Sequence, residues 1–366
     1  MSRYMTSYSA SDLLRALSAK GFVESGDQEL ESFVLAQQQE TELPLYIRAL
    51  VGVGAFIASI CLIGLVALGL SVDENEDFLI IGLAFVALAI VLQKFSGNGA
   101  TIRQSFMMQS SFAFMATGKS LFVFALVMIF ESGWAGTLAT LGITVATYYV
   151  YRMSVDRFLS SFAVLFSIHL NVAFVEELPE SREIFFNLFV FCEVLLAALL
   201  TWSGKIRRDF VPVKYALFCS LCVAALFLVS RFEFAYAMEE EVIRPLFMSL
   251  LFAGALIAAI AWIAGGPAKL KSEALILACL GAAALGAIAA PGITLAILLM
   301  VLGYGKHEKI MIAMGALLLP LFLYHYYYEL DVSLLQKSGV LVGSGLLLLA
   351  ARFYLHFRKL DQGDTA

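Results

Sequence analysis

Residues 73–95 read DENEDFLIIGLAFVALAIVLQKF, from Asp73 to Phe95. Asp73, Glu74, Glu76 and Asp77 crowd one end, an apolar run follows, and Lys94 closes it. The run shows none of the polar–apolar alternation of a half-buried strand. Its length approaches the roughly 20 residues that carry a helix across a bilayer. The segment therefore states a fold class and a direction together: acids on one side of the membrane, a cation on the other.

The same pattern recurs almost without pause from Leu50 to Leu355. The 366 residues are 61% hydrophobic and 14% charged, with mean hydropathy +0.87, whereas a soluble domain is nearer half apolar and a quarter charged. The strict alternation of barrel strands is missing. The expectation is an all-α, polytopic integral membrane bundle of about 12 transmembrane helices. The spans fall near residues 49–70, 78–95, 105–130, 134–151, 157–175, 184–203, 213–230, 245–264, 273–290, 292–304, 309–328 and 333–355. The run 105–130 is long and interrupted by Gly118-Lys119-Ser120, and 292–304 is short enough for a re-entrant or tilted piece.

Charge sets the orientation. Lys94, Arg103, Arg152, Arg157, Lys205, Arg207, Arg208, Lys214, Lys269, Lys271, Lys306 and Lys309 all fall on alternate connections. The opposite connections are acidic, at 73–77, at Glu176, Glu177, Glu180 and Glu183, and at Glu239–Glu241. The positive-inside rule then places both termini in the cytoplasm. Trp134, Trp202 and Trp262 fall near span ends, where indoles prefer to sit. The net charge of −5 reflects acids on the outer face and gives no reason to expect a nucleic-acid partner.

Three regions result. Residues 1–44 form a short cytoplasmic N-terminal segment with two helical stretches, near Asp12–Lys20 and Asp27–Gln39. Residues 45–357 form the bundle, and 358–366 a cytoplasmic tail. The first apolar run begins too deep for a signal peptide, so the first span is expected to remain as an uncleaved anchor. Cys219-x-x-Cys222 has redox or metal spacing but lies mid-span with no histidine or second pair beside it. Small buried hydrophobes are the expected role of all five cysteines, and no metal or cofactor is expected.

Two sets of polar residues stand out. Lys119, His169 and Glu193 lie inside predicted spans, where ionisable groups are expensive and are functional candidates by default. Lys119, about 15 residues or roughly 22 Å into its span, is expected past the midplane on the outer side. There it either pairs with Glu193 across an outward-opening polar cavity or snorkels to the surface. For His169 a packed, hydrogen-bonded role is expected. The second set is the hairpin YHYYYELDVSLLQKS, Tyr324–Ser338. Ser333-x-x-Gln336 fits a capping box that starts the last span. Lys337 then sits in a first helical turn, where the dipole opposes a cation, and calls for Asp331 or Glu329 as partner. Tyr324 and Tyr328 share a helical face. The candidate outer-side site is His325, Tyr327, Tyr328, Glu329, Asp331 and Lys337; an interfacial aromatic belt is the other reading. Gly339-x-x-x-Gly343, Gly52 and Gly54 suggest smooth packing faces, and Pro291-Gly292 a turn.

No phosphate-cradling loop, HExxH or serine-nucleophile elbow is present, and Val342-Gly343-Ser344-Gly345 lacks the elbow's first glycine. Nothing positive supports an enzyme.

The tail from Pro291-Gly292-Ile293 through Leu302-Gly303-Tyr304, with His325-Tyr326-Tyr327-Tyr328 and Ser333-Leu334-Leu335-Gln336-Lys337-Ser338, resembles the bacterial family called domain of unknown function 4401. Leu43-Pro44-Leu45-Tyr46-Ile47-Arg48 looks like its N-terminal lead-in. The resemblance implies a multi-pass protein of the bacterial inner membrane without assigned activity. It also implies two partners beside the lipid bilayer: a related multi-span membrane protein, and a companion with a Gly-Asp-Tyr signature. Similar proteins are expected to carry glutamine at the position of Lys119, which counts against that lysine as essential. Three functions stay open: a non-enzymatic envelope-complex component or carrier of a small or lipid-linked substrate, an anchor for an extracytoplasmic partner, and an outer-leaflet transferase.

Overall fold

A computed structural model describes residues 75–96, 102–174, 182–202, 208–238, 246–266, 273–288 and 291–329, with isolated positions in 54–65 and 342–353. The N-terminal segment, the C-terminal tail, and Asp331 to Ser338 lie outside the described residues.

Among the described residues the chain is helical throughout. Its α-helices are α1 (Asn75–Ser96), α2 (Ile102–Phe130), α3 (Gly133–Tyr148), α4 (Ser154–Phe174), α5 (Arg182–Trp202), α6 (Val211–Met238), α7 (Leu246–Ile263), α8 (Glu273–Ile288), α9 (Pro291–Lys306) and α10 (Lys309–Glu329). A 3-10 turn, Arg208–Phe210, precedes α6. Each matches one predicted span, and six are long and apolar enough to cross a membrane. The described positions in 54–65 and 342–353 are also helical.

Three boundaries differ from expectation. Gly118-Lys119-Ser120 does not interrupt α2, which runs unbroken for 29 residues, because a helical glycine costs only about 1 kcal/mol and packing offsets it. Helix α6 continues through Arg231 and Glu233 to Met238. Pro291-Gly292 opens α9, with Pro291 at the first helical position, where its missing N–H loses nothing.

Apolar residues face outward to an extent that water would not tolerate. Phe130, Leu138, Leu199 and Leu317 are each at least 65% exposed. With lipid outside, hydrophobicity does not separate the faces of a helix, so close contact must come from small residues.

The chain divides into two compact units, at Asp156 and Arg157. In the first, the pairs Gly82/Gly118 and Ala89/Ser111 advance in opposite directions along α1 and α2, so these helices are antiparallel. A Cβ at Gly118 would stand 2.7 Å from the Gly82 carbonyl oxygen and 2.8 Å from Val86 N. Val86, Ala89, Met115, Ile143 and Tyr151 form the core. Ser111 donates to the Ala89 carbonyl at 2.8 Å, leaving its oxygen to accept from the fully buried Tyr151 phenol at 3.0 Å. Gly118→Val is expected to lower stability by about 1–3 kcal/mol through overpacking. Gly142→Ala, where a Cβ meets nothing within 4 Å, should be neutral or slightly stabilising. Denaturant unfolding in detergent micelles separates the two; equal behaviour removes the close-approach argument. The expected packing role of Gly54 is not seen: among the described residues, nothing stands within 4 Å of a Cβ there.

In the second unit, α9 packs against α6, α7, α8 and α10. A two-residue turn joins α9 to α10. Glu308 N–H donates to the Gly303 carbonyl at 2.9 Å and His307 N–H to that of Tyr304 at 3.2 Å, a Schellman closure. His307 takes the left-handed conformation (φ 57°) usually left to glycine. Helix α7 ends the same way, through Gly265 at φ 92°.

One end of this unit gathers six helix termini. Arg157 pairs with Asp209 at 2.7 Å. Lys214 pairs with both oxygens of Glu308 at 2.6 and 2.7 Å, and Tyr215 donates to the same carboxylate at 3.0 Å. The Trp202 and Trp262 rings lie 6.1 Å apart, and Lys306 Nζ stands 4.4 Å over the Trp262 ring. The starts of α4, α6 and α10 thus meet the ends of α5, α7 and α9, as alternating spans require. Several cations counted by the positive-inside pattern are here also structural ties between helices.

Candidate functional site

Helices α4, α5 and α6 each contribute one polar side chain to a common point. His169 lies five residues before the end of α4, Glu193 is on the second half of α5, and Ser220 follows nine residues after the start of α6. Ser220 Oγ donates to Glu193 Oε1 at 2.6 Å. His169 Nε2 lies 3.1 Å from Glu193 Oε2 and 3.1 Å from Ser220 Oγ. Relative exposure is 0% for His169 and Ser220 and 2% for Glu193. The Ser220 proton is committed to Glu193, so the Ser220 oxygen and Glu193 Oε2 can share an Nε2–H from His169.

The imidazole is held by aromatics. Phe186 and Phe189 stand 5.6 and 4.9 Å from its centre, Phe189 edge-on. Its other nitrogen, Nδ1, is buried and has no hydrogen-bond partner among the described residues. That atom is the unusual feature. Buried polar atoms in native structures are nearly always paired, and leaving one unpaired costs about 1–3 kcal/mol.

The three residue types are those of a hydrolytic triad, but the geometry is different. A serine nucleophile hands its proton to histidine, and a carboxylate orients the far nitrogen. Here Ser220 donates to the carboxylate itself and, among the described residues, nothing orients the far nitrogen. Glu193 and His169 instead form a compact pair, with Ser220 bridging them.

The expected pairing of Lys119 with Glu193 is corrected. Lys119 Nζ donates to Asp156 Oδ1 at 2.9 Å and Oδ2 at 2.7 Å, with side chains 12% and 5% exposed. Asp156 occupies the first turn of α4, where the helix dipole favours a carboxylate. It adjoins the connection that the charge pattern puts inside, so Lys119 turns towards that end and not outward. Nothing in the sequence singled out Asp156.

Ser220 was missed altogether. It is a small hydroxyl in the run Cys219-Ser220-Leu221-Cys222, and only the helix packing reveals its partner. The expectation of five buried cysteines holds only for Cys222: Cys219 and Cys279 are half-buried, and Cys61 and Cys192 are exposed. No group of three metal-ligating side chains occurs among the described residues.

The tyrosine hairpin is only partly described. Tyr324 is 58% exposed and His325 intermediate, their rings 6.0 Å apart and edge to face. Tyr327, Tyr328 and Glu329 continue α10 in its last turn. Asp331 and Lys337 lie outside the described residues, as does Gly339-x-x-x-Gly343 apart from Val342 within it.

Ten helices, six long and apolar enough to span, lipid-type outer surfaces and a buried His–Glu–Ser cluster define a multi-span helical membrane protein. The chain belongs to the family described as domain of unknown function (DUF4401), which it matches over residues 44–357. No curated protein and no solved structure matches it.

Proposed function

We propose that the chain is a twelve-span carrier component of an envelope complex in the bacterial inner membrane, with both termini cytoplasmic and a proton held by His169 and Glu193. The reading rests on the unpartnered Nδ1 of His169, in a cluster whose other polar atoms are engaged. An intramembrane acid beside a histidine is the usual material of a proton relay. The vacant nitrogen supplies a second point where a proton can enter or leave the cluster. The cargo is a small or lipid-linked molecule. The related multi-span protein and the Gly-Asp-Tyr companion are the proposed partners.

The test uses full-length protein in proteoliposomes, with an internal pH dye and an imposed potassium diffusion potential. Wild-type vesicles are expected to take up protons, and Glu193→Gln and His169→Gln vesicles to fall to the protein-free background. Equal uptake by wild type and Glu193→Gln, or none by either, sinks the carrier.

A second reading, the anchor, draws on one observation. His169, Glu193 and Ser220 line neither described groove of the second unit, as expected of a polar knot that only fixes helix register. The anchor predicts an extracytoplasmic partner whose co-purification survives Glu193→Gln but is lost when Asp73, Glu74, Glu76 and Asp77 are neutralised.

A further inference from the structure

A groove of about 430 Å³ runs between α5, α6, α7 and α9 of the second unit. This is the size of a small-ligand site. Small residues, Ala198, Gly254 and Ala258 among them, form much of its lining. Thr201 is the one lining residue with a polar side chain beyond the two indoles, and its hydroxyl donates to the Ala197 carbonyl of its own helix at 2.7 Å. The walls therefore offer a polar ligand almost nothing and an alkyl chain a continuous contact.

One end of the groove is different. Trp202 and Trp262 line it there, and Lys306, one turn beyond the lining residue Leu302, holds its ammonium over the Trp262 ring. Among the described residues Lys306 is paired with no carboxylate. The nearby acid, Glu308, is already held by Lys214 and Tyr215. Indoles favour the headgroup level, so the end that carries them is the end where a lipid phosphate would lie. In sequence, the segments that follow Trp202 and Trp262 add Lys205, Arg207, Lys269 and Lys271.

We propose that this groove binds an anionic glycerophospholipid, one acyl chain lying between α5 and α7 and the phosphate at Lys306. The site is separate from the His169–Glu193–Ser220 cluster and does not depend on the proton reading. Apolar walls set the chain contact, and Lys306 sets the preference for negative headgroups, worth about five-fold for one lysine near the surface.

The tryptophans make the test direct. Full-length protein carrying Trp134→Phe is reconstituted with chain-brominated phosphatidylglycerol or brominated phosphatidylcholine, and quenching of Trp202 and Trp262 is followed against lipid fraction. Half-maximal quenching is expected at about five-fold less phosphatidylglycerol than phosphatidylcholine. Lys306→Gln should erase that difference while leaving quenching itself. Ala258→Leu, which fills the groove, should reduce quenching by both lipids. Circular dichroism and gel filtration qualify each variant as folded. Equal quenching by the two lipids in wild type overturns the proposal, as does a phosphatidylglycerol preference that survives Lys306→Gln. Undiminished quenching in folded Ala258→Leu overturns the groove as the site.

Discussion

His169→Leu is expected to destabilise the second unit by about 1–3 kcal/mol, the usual result of leaving a buried acceptor without one of its donors. Glu193 would keep Ser220 as its donor but lose the imidazole at 3.1 Å. One carboxyl oxygen is then left in apolar surroundings without that partner. The double variant His169→Leu/Glu193→Leu should recover part of the loss, because it removes the imidazole and the carboxyl together and leaves the Ser220 hydroxyl as the one polar group of the cluster to be re-paired. Thermal unfolding in one detergent, arranged as a double-mutant cycle, gives the coupling. If the two losses simply add, the three residues are not acting as one cluster. Ser220→Ala should cost less, about 0.5–1.5 kcal/mol, as the loss of a single hydrogen bond from a carboxyl group that keeps His169.

Lys119→Met is expected to be more severe in the first unit, about 3–5 kcal/mol. It withdraws both ammonium hydrogen bonds from Asp156, which is 4% exposed. Lys119→Gln should lose only about 1–2 kcal/mol, since the amide can still donate to the carboxylate. Lys119→Met/Asp156→Leu should restore much of the stability. The decisive measurement is the order of the unfolding midpoints. If Lys119→Gln is as damaged as Lys119→Met, the contribution of Lys119 is not its bond to Asp156.

The two clusters mark where sequence reading succeeds and where it stops. The ten described helices were legible because long apolar runs are bounded by charged connections and, at three ends, by tryptophan. His169 and Glu193 were legible as anomalies, since a titratable group in a hydrocarbon-length run asks for a reason. Their partners were not. Asp156 belongs to a connection by its neighbours and only the fold carries Lys119 down to it, 37 residues away in sequence. Ser220 has no signature in an apolar run that also contains two cysteines. Packing glycines were equally hidden. The local Gly-x-x-x-Gly pattern drew attention to the last span, whereas the described close approach uses Gly82 and Gly118, one on each of two helices. Periodicity gave no help in choosing faces, because lipid leaves the exposed side as apolar as the buried one.

Helix α9 has a consequence for how the chain enters the bilayer. Its 16 residues span about 24 Å at 1.5 Å per residue, less than the roughly 30 Å of hydrocarbon. Much of its surface, from Pro291 through Leu299 and at Gly303, is buried against protein. Such a segment gains little from lipid alone, and its stability comes from its neighbours. The two-residue turn at His307-Glu308 and the close contacts of Gly303 with Ile312 and of Gly315 with Ala296 supply α10 at once. The pair is therefore expected to enter as one helical hairpin that docks on α6 and α7, which precede it in synthesis. Order of synthesis thus does for α9 what hydrophobic length does for the six longer spans.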